Sequence, residues 1–164
     1  MSETIIHPLA PIVPAQAQVL ILGTMPSPRS RSEGFYYAHP QNRFWRVLAA
    51  LFGDPVPADN AARTELLFRH GIALWDVLAS CSIRGADDAS IKEPVANDIR
   101  PVLGQAPIKK VFTTGKKAAD LYRRYILPTA GVEAEALPST SAANCRTPME
   151  SLLKEYSKIL DYCV

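Results

Sequence analysis

Residues 36–45 combine ring-stacking and hydrogen-bonding side chains at high density. They read YYAHPQNRFW and lie just ahead of an apolar helical pattern. Aromatic rings stack on flat ligands, an asparagine amide both donates and accepts hydrogen bonds, and a histidine can exchange a proton near neutral pH. The segment therefore makes Tyr36, Tyr37, His39 and Asn42 candidates for binding a flat ligand and acting on it.

Each of these side chains also has a purely structural interpretation. Asn42 directly precedes the helical pattern, and asparagine is among the best helix N-caps, worth about 1 kcal/mol. Tyr36 and Tyr37 are equally consistent with partly buried anchors of a loop. His39, beside Pro40, is consistent with a hydrogen-bonded structural residue. From position alone, cap and catalyst both stay open for Asn42.

Residues 23–28, GTMPSP, form a second candidate segment directly after the apolar run VLIL. The segment is not a Walker loop, since no lysine follows at the required spacing, and it is not a GxGxxG turn. Gly23, Thr24, Met25 and Ser27 offer small polar and backbone groups there. These residues alone favour a rigid turn.

A third candidate segment, residues 138–144, reads PSTSAAN and contains three consecutive hydroxyl side chains, Ser139, Thr140 and Ser141. Hydroxyl and backbone N–H groups in such a loop can hold a phosphate. An ordinary turn stabilised by Ser and Thr side chains explains the same pattern and is favoured without further context.

Strands and helices alternate along the chain. Apolar runs predict strands at residues 18–23, 72–77, 109–113 and 132–137, and apolar periodicity or cap signals predict helices at 44–51, 60–70, 97–105, and from 115 and 147 onward. Alternation of this kind predicts an α/β fold with a mainly parallel sheet covered on both faces. Ligands of such sheets bind beyond the carboxyl ends of the strands, where all three candidate segments lie.

Several helix details can be predicted. Residues 24–41 form a polar loop, and loops of that length without structure of their own are usually functional. Asn97 is placed to cap a short helix, and TPME at 147–150 has the form of a capping box with proline at the first helical position. The predicted buried stripes are Ala118, Leu121, Tyr122 and Tyr125 in one helix, and Met149, Leu152, Leu153, Tyr156 and Leu160 in the last.

The composition is that of a globular protein. A chain of 164 residues with 48% apolar and 21% charged residues is expected to form a single domain over residues 1–164. The net charge is only +2, but residues 105–128 hold six basic side chains against one acidic one. That asymmetry permits an anionic partner, although such runs are more often solvated helix faces.

The three cysteines are scattered and contain no CxxC pair, which argues against a disulfide framework, a zinc ribbon or a four-cysteine iron–sulfur cluster. No run approaches the ~18 apolar residues of a membrane span, and the N-terminus lacks the pattern of a signal peptide. We therefore expect no membrane partner and a cytoplasmic location.

Taken together and in order, GTMPS, YYAHPQNRFW and LPSTSAAN resemble the uracil-DNA glycosylase superfamily. The second motif is similar to the mismatch-specific branch, but that branch has an asparagine directly after the strand, where this chain has Thr24 and Met25. GTMPS together with HPQN most resembles the DNA-deoxyinosine (hypoxanthine-DNA) glycosylases, as do RGADD at 84–88 and NDI at 97–99.

The resemblance implies a three-layer α/β/α sandwich with a central, mainly parallel four-stranded sheet. It also implies excision of a deaminated base, hypoxanthine by preference, by hydrolysis of the N-glycosidic bond in base-excision repair. The substrate is then double-stranded DNA containing a damaged or mismatched base, which must be flipped out of the helix. No metal or cofactor is implied, and we expect a monomer.

The resemblance also assigns roles on the base side of the site. Tyr37 matches the aromatic residue that stacks on the extruded base, with Phe35 or Tyr36 as second choices. Asn42 matches the catalytic asparagine, whose amide can orient a water molecule or donate to the departing base. Gly23 and backbone N–H groups near Thr24 and Met25 would share base binding, and His39 is the second candidate for assisting the leaving group.

On the DNA-backbone side, Ser139, Thr140 and Ser141 match the loop that grips the phosphates around the flipped nucleotide. Ser27, Lys116, Arg29 and Arg31 are further phosphate candidates by position or charge. Relatives often insert a leucine from this loop into the vacated gap. Here SAA stands at 141–143, so no strong wedge is expected.

Three alternatives remain open at this stage. The enzyme could instead prefer uracil or a G·U or G·T mismatch, the chain could be a nucleic-acid-binding module without catalysis, or it could hydrolyse free nucleosides. The predicted phosphate-gripping loop argues against the last.

Overall fold

Four parallel strands form the central sheet of the computed structural model, which describes residues 2–163. They are β2 (Val19–Gly23), β3 (Ile72–Asp76), β6 (Lys110–Thr114) and β7 (Ala134–Leu137), in the order β3-β2-β6-β7. All three neighbouring pairs are parallel. This confirms the predicted sheet and places the carboxyl ends of all four strands along one edge.

Helices cover both faces of this sheet. They are α1 (Pro28–Glu33), α2 (Phe44–Phe52), α3 (Asn60–His70), α4 (Arg100–Gln105), α5 (Lys116–Leu121), α6 (Leu127–Ala130) and α7 (Met149–Tyr156). In β2, Val19 and Ile21 face a core formed with α2, α3 and α7, while Leu20 and Leu22 face a second core formed with α4 and α5. A strand buried on both faces needs apolar residues at every position, which VLIL supplies. The three-layer sandwich is confirmed.

A second, antiparallel sheet was not predicted from the sequence. It consists of β1 (Glu3–Ile6), β4 (Leu78–Arg84) and β5 (Asp87–Ala96), in the order β1-β4-β5. The pairing of β4 with β5 shifts register three times along its length. Each irregularity breaks the two-residue alternation that identifies a half-buried strand, so no clean pattern marks this hairpin.

The sequence predicts an irregular loop at residues 24–41, but part of this segment is helical. It contains α1, a single helical stretch of six residues whose first turn is capped by the Ser27 hydroxyl accepting the Ser30 N–H. Only Ser30 is buried within α1, so the helix has no apolar stripe to reveal it.

Two of the predicted helix details are wrong. The Asn97 side chain does not cap α4, because its amide donates to the carbonyls of Asp76 and Leu78, at 2.9 and 3.1 Å. The Thr147 side chain does not cap α7, because its hydroxyl donates to Asn144 Oδ1 at 3.2 Å.

The last residue of each predicted buried stripe is exposed, contrary to the prediction. Tyr125 is 40% exposed because residues Tyr122–Ile126 form a π-helical turn, and the wider turn brings Ile126 into the core instead. Leu160 is 41% exposed because the chain tightens into a 3₁₀ helix at Ser157–Asp161, which brings Ile159 inward. Local changes of helical period therefore rotate the last residue of each stripe.

None of the helices within residues 2–163 combines the length and apolar character needed to cross a membrane.

Candidate active site

A cavity of about 600 Å³ opens at the carboxyl ends of β2, β3 and β6. Its walls also come from the segments that follow β2 and β7 and from the tip of the β4–β5 hairpin. This size lies within the ~300–1,000 Å³ of typical small-ligand sites. Eleven of the twelve predicted site residues line it, namely Gly23, Thr24, Met25, Ser27, Tyr36, Tyr37, Asn42, Lys116, Ser139, Thr140 and Ser141.

The carboxamide of Asn42 is fixed by two donors on its oxygen. Oδ1 accepts the Phe44 backbone N–H at 2.9 Å and the Thr140 hydroxyl at 2.8 Å. Because a backbone N–H can only donate, the atom facing Phe44 must be the oxygen. The NH₂ group has no protein acceptor among the described residues, and Asn42 lines the cavity. The amide is thus held with its donor end available to a ligand.

The cap and ligand-binding interpretations of Asn42 turn out to be compatible. The formal N-cap position of α2 belongs to Arg43, whose side chain makes no capping bond. Asn42, one residue earlier, satisfies the Phe44 N–H with its oxygen. The amide oxygen therefore caps the first turn of α2, and the amide nitrogen takes no part in the cap.

Thr140 is not placed to bind a phosphate, contrary to the prediction. It is 1% exposed, and its hydroxyl is committed to Asn42 Oδ1. Its carbonyl accepts the Arg43 backbone N–H at 3.0 Å. Thr140 therefore joins residues 36–45 to residues 138–144 and orients the Asn42 amide.

Tyr37 contributes an aromatic ring to the cavity wall, and contacts with Phe44 and Thr114 hold the ring in place. The ring stacks on Phe44 with centroids 3.8 Å apart and planes 13° apart, and the hydroxyl lies 3.3 Å from Thr114 Oγ1. Burial, then the nearby Asp76 carboxylate, raises the pKa of the Tyr37 phenol above its ordinary value, so the hydroxyl stays protonated.

Two other residues of the YYAHPQN segment are placed differently from expectation. Tyr36 is only 3% exposed and donates its hydroxyl to the Ala10 carbonyl at 2.7 Å, so it anchors the loop in the core. His39 is exposed and lies outside the cavity lining, with Nδ1 accepting the Gln41 N–H at 3.1 Å. His39 therefore forms no part of the cavity wall.

The turn after β2 contributes backbone donors. Within residues 2–163, no protein group accepts a hydrogen bond from the N–H of Thr24 or of Met25, whereas the Thr24 carbonyl accepts the Leu78 N–H. Gly23 is required for a steric reason, since an added Cβ would lie 2.6 Å from Asp76 Oδ1 and 3.2 Å from the Tyr37 hydroxyl.

The predicted phosphate-binding residues come from three segments around the cavity, which follow β2, β6 and β7. Ser139 and Ser141 form tight turns in which each hydroxyl accepts the N–H two residues ahead, and Lys116 is exposed at the start of α5. Arg29 and Arg31 are engaged elsewhere. Arg29 pairs with Glu33 at 2.7 Å, and Arg31 donates to the Pro26 carbonyl at 2.9 Å.

The sequence analysis missed Asp76 and His7. Asp76 lies at the carboxyl end of β3, is 4% exposed and lines the cavity; its Oδ2 is 2.7 Å from His7 Nε2. Its position at the end of a predicted parallel strand was the available signal. Nothing in the sequence indicated the contact from His7, 69 residues away. No cluster of three or more potential metal-ligating side chains occurs in the described part of the chain.

Comparisons with known proteins find relatives that match most of this chain. A family model described as the uracil DNA glycosylase superfamily matches residues 10–161. A protein named hypoxanthine DNA glycosylase from Methanosarcina barkeri is 35% identical over 139 residues, covering 84% of this chain and 87% of the relative. A second protein of that name, from Methanosarcina acetivorans, is 32% identical over 138 residues, covering 82% of this chain and 85% of the relative.

A solved structure is similar over nearly its whole length. It is a solution NMR structure of a Methanosarcina acetivorans protein provisionally named uracil DNA glycosylase. The TM-score is 0.77 at 27% identity, with 93% of this chain and 96% of that chain covered.

Proposed function

The chain belongs to the uracil DNA glycosylase superfamily, and we propose that it is a monofunctional DNA-deoxyinosine glycosylase. It flips a deaminated nucleotide out of double-stranded DNA and hydrolyses the bond between sugar and base. The observation that carries this proposal is the Asn42 carboxamide, fixed through its oxygen with its NH₂ group free at a cavity of about 600 Å³. The names of the two Methanosarcina relatives support hypoxanthine as the preferred base.

Asn42 would act by favouring departure of the base. Cleavage leaves positive charge on an oxocarbenium-like sugar and sends the bonding electrons to the base. The Asn42 NH₂ group and the N–H groups of Thr24 and Met25 can donate to the electron-rich base as the bond breaks. Water then adds to the sugar carbon and releases one proton, and the detached base takes up one proton before it leaves the cavity. Since the Asn42 oxygen already accepts two hydrogen bonds, donation is the role that its geometry favours.

Tyr37 would hold the flipped base. One face of its ring stacks on Phe44, and we infer that the other face takes the purine. Stacking of this kind contributes about 1–3 kcal/mol per base. Extrusion costs a few kcal/mol, least for a poorly paired lesion such as hypoxanthine opposite thymine.

Ser139, Ser141 and Lys116 would bind the DNA backbone beside the cavity. The two serines bend the 138–144 loop into consecutive turns, and Lys116 supplies a cation at the rim. Such contacts set register on the duplex without reading sequence. We further propose that one copy of the chain suffices, because it provides every wall of the cavity, and that it acts on chromosomal DNA in the cytoplasm.

The proposal is tested with duplex oligonucleotides that contain inosine, uracil or a G·T mismatch, in the presence of EDTA. Inosine is expected to give an alkali-labile abasic site fastest. Faster cleavage at uracil or thymine would favour the mismatch-specific alternative instead. Binding without any abasic product would favour a non-catalytic module.

Two substitutions test the role of Asn42. Asn42→Asp is isosteric and keeps both acceptor contacts but removes the donor, and Asn42→Ser removes the amide without adding charge. Loss of one preorganised donor costs about 2.7–4 kcal/mol in other enzymes, so both variants should be at least a hundredfold slower. Their thermal unfolding midpoints should stay close to that of the wild type. Activity within a few-fold of wild type in both would remove Asn42 from the mechanism.

A further inference from the structure

The floor of the cavity carries a buried carboxylate that the proposed mechanism leaves unused. Asp76 ends β3 directly beside Gly23 in the parallel ladder, and both residues line the cavity. The carboxylate and its partner His7 are both nearly inaccessible, with side chains 5% and 4% exposed. A buried carboxylate facing a ligand site is expected to have a ligand or a partner for each oxygen.

One oxygen of Asp76 contacts His7, whose tautomer is assigned from a second hydrogen bond. The Leu9 backbone N–H donates to His7 Nδ1 at 3.2 Å, so the ring proton must sit on Nε2. Nε2 lies 2.7 Å from Asp76 Oδ2 and donates to it. His7 thus takes one carboxylate oxygen and keeps that side of the group an acceptor.

The other oxygen is turned toward the space above Gly23. Oδ1 lies 2.6 Å from the point that a Cβ on Gly23 would occupy, and the Tyr37 hydroxyl is 3.2 Å from the same point. No group within residues 2–163 donates a hydrogen bond to Oδ1. The missing side chain of Gly23 leaves this lone acceptor exposed to the cavity, beside the proposed stacking ring.

We propose that Asp76, held by His7, reads the ring N–H that deamination creates in a base. This inference rests on the proposed function and names the chemical feature by which the same cavity selects its substrates. Hypoxanthine carries N1–H where adenine has an unprotonated N1, and uracil carries N3–H where cytosine has an unprotonated N3. A fixed acceptor such as Asp76 Oδ1 accepts a hydrogen bond from the ring N–H of the deaminated base. In the parent base the same ring nitrogen is itself an acceptor, so the two atoms repel each other.

The two carboxylate oxygens of Asp76 have different partners: Oδ2 contacts His7, and Oδ1 faces the cavity. Because His7 occupies Oδ2, only one acceptor remains for the base, so the contact reads a single N–H. Guanine also carries N1–H and is not rejected by this contact. It is protected by the cost of extruding it from a well-paired G·C step, which a poorly paired lesion does not incur. A site built to bond one N–H can reject the analogue lacking it by roughly 10⁴–10⁵.

Asp76→Asn tests the proposal because His7 fixes how the new amide must lie. Nε2–H of His7 requires an oxygen opposite it, so the amide must turn its NH₂ group into the cavity. The acceptor becomes a donor, and the preference should move toward the parent base. We expect inosine excision to fall at least a hundredfold and the ratio of adenine to inosine excision to rise at least tenfold.

Asp59→Asn is the matched control. Asp59 lies outside the cavity lining, and its Oδ1 caps α3 by accepting the Ala62 N–H, which an asparagine oxygen can also do. The variant removes one negative charge without changing the cavity. Its inosine excision and base preference should match those of the wild type.

A second measurement needs no variant. The wild-type protein is given duplexes with deoxyinosine or N1-methyldeoxyinosine, in which a methyl group replaces the N–H, and the methylated base should be removed at least a hundredfold more slowly. If Asp76→Asn does not fold, as judged by thermal unfolding, this measurement decides the question.

The failures can be told apart. A wild-type protein that releases neither hypoxanthine nor uracil overturns the proposed function, and this inference with it. Wild-type excision of inosine, together with equal removal of N1-methylhypoxanthine or an unchanged base preference in folded Asp76→Asn, overturns the reading of the N–H alone.

Discussion

Tyr37 shows how a single residue combines strain with function. Its φ is +53°, in the left-handed region that a bulky residue rarely adopts. Such conformations cost about 1–3 kcal/mol and persist where surrounding contacts enforce them. Here the stack on Phe44 and the contact with Thr114 hold the ring at the cavity wall. The geometry is consistent with a surface kept ready for a base.

Removal of the Tyr37 ring should weaken DNA binding. In Tyr37→Leu the base loses its aromatic platform, and a stacking contribution of about 1–3 kcal/mol corresponds to roughly 5- to 150-fold in affinity for inosine-containing duplex. Tyr37→Phe is the control, since it keeps the ring and loses only the contact with Thr114. Titration of both variants with inosine duplex measures the difference. Equal affinity of the Leu variant and the wild type would exclude Tyr37 as the stacking residue.

Thr140 should act on catalysis through Asn42. Thr140→Val keeps the shape and removes the hydroxyl, so the carboxamide retains only the Phe44 N–H. Loss of one such hydrogen bond, worth about 0.5–1.5 kcal/mol, should lower kcat roughly 2- to 12-fold. Thr140→Ser retains the donor and should restore most of the rate.

The same variant distinguishes orientation of the amide from phosphate binding. If Thr140 only orients the amide, Thr140→Val changes kcat and leaves the affinity for abasic-site DNA unchanged. A weaker affinity with unchanged kcat would return Thr140 to the phosphate-binding role first expected of it.

At the residue scale, the sequence predicted most of the side chains that line the cavity, but not the contacts that each one makes. Asn42 and Tyr37 are in the cavity because they follow a predictable strand. Hydroxyl residues in a loop cannot reveal that Thr140 is buried under Asn42, because that depends on contact between segments 98 residues apart. The role of Asp76 likewise depends on a contact with His7, 69 residues away, which no local pattern encodes.

At the scale of elements, one arginine ties two segments together. The Arg43 guanidinium donates to the Thr147 carbonyl at 2.6 Å and the Asn144 carbonyl at 3.0 Å. Asn144 in turn donates to the Ser139 carbonyl at 2.8 Å. The start of α2 therefore fixes the whole 138–147 segment, which carries the proposed phosphate contacts.

Arg43→Met should loosen that segment while leaving α2 intact. Both carbonyls lose a charged donor, worth about 1.5–3 kcal/mol per bond in other proteins, so amides of residues 139–147 should exchange faster with deuterium. The control is Arg46→Met in the same helix, whose exposed side chain reaches only the Pro40 carbonyl at 3.4 Å. Unchanged exchange in the Arg43 variant would show that the segment holds its shape without the arginine.

The elements themselves divide into predictable and unpredictable ones for physical reasons. β2 and α2 are encoded locally, one by continuous apolar residues and the other by apolar periodicity closed by Gly53 at φ +67°. The β4–β5 hairpin is irregular in register, and α1 has six residues without an apolar stripe. Those elements form only because the rest of the fold gives them neighbours, and both contribute walls to the cavity.

At the scale of the whole molecule, attraction to DNA depends on where individual cations lie. The net charge is only +2, so electrostatic attraction to DNA must come from a few placed cations. Lys116 lies just beyond the carboxyl end of β6, at the cavity rim, and Lys109 lies just before its amino end. A strand of five residues spans roughly 16 Å, so the two exposed lysines lie near opposite ends of β6, one near its amino end and one near its carboxyl end.

Salt dependence should therefore be modest and should come from one edge. With about 2–4 phosphate contacts, the slope of log affinity against log salt concentration should be roughly −2 to −4, because each contact contributes about −0.9. Lys116→Met should make the slope less steep by about 1, whereas Lys109→Met carries the same loss of charge and should leave it unchanged. Titrations of inosine duplex between low and moderate salt measure all three slopes. Equal effects of the two lysines would mean that DNA responds to net charge alone, and a flat wild-type slope would contradict binding through phosphates at this edge.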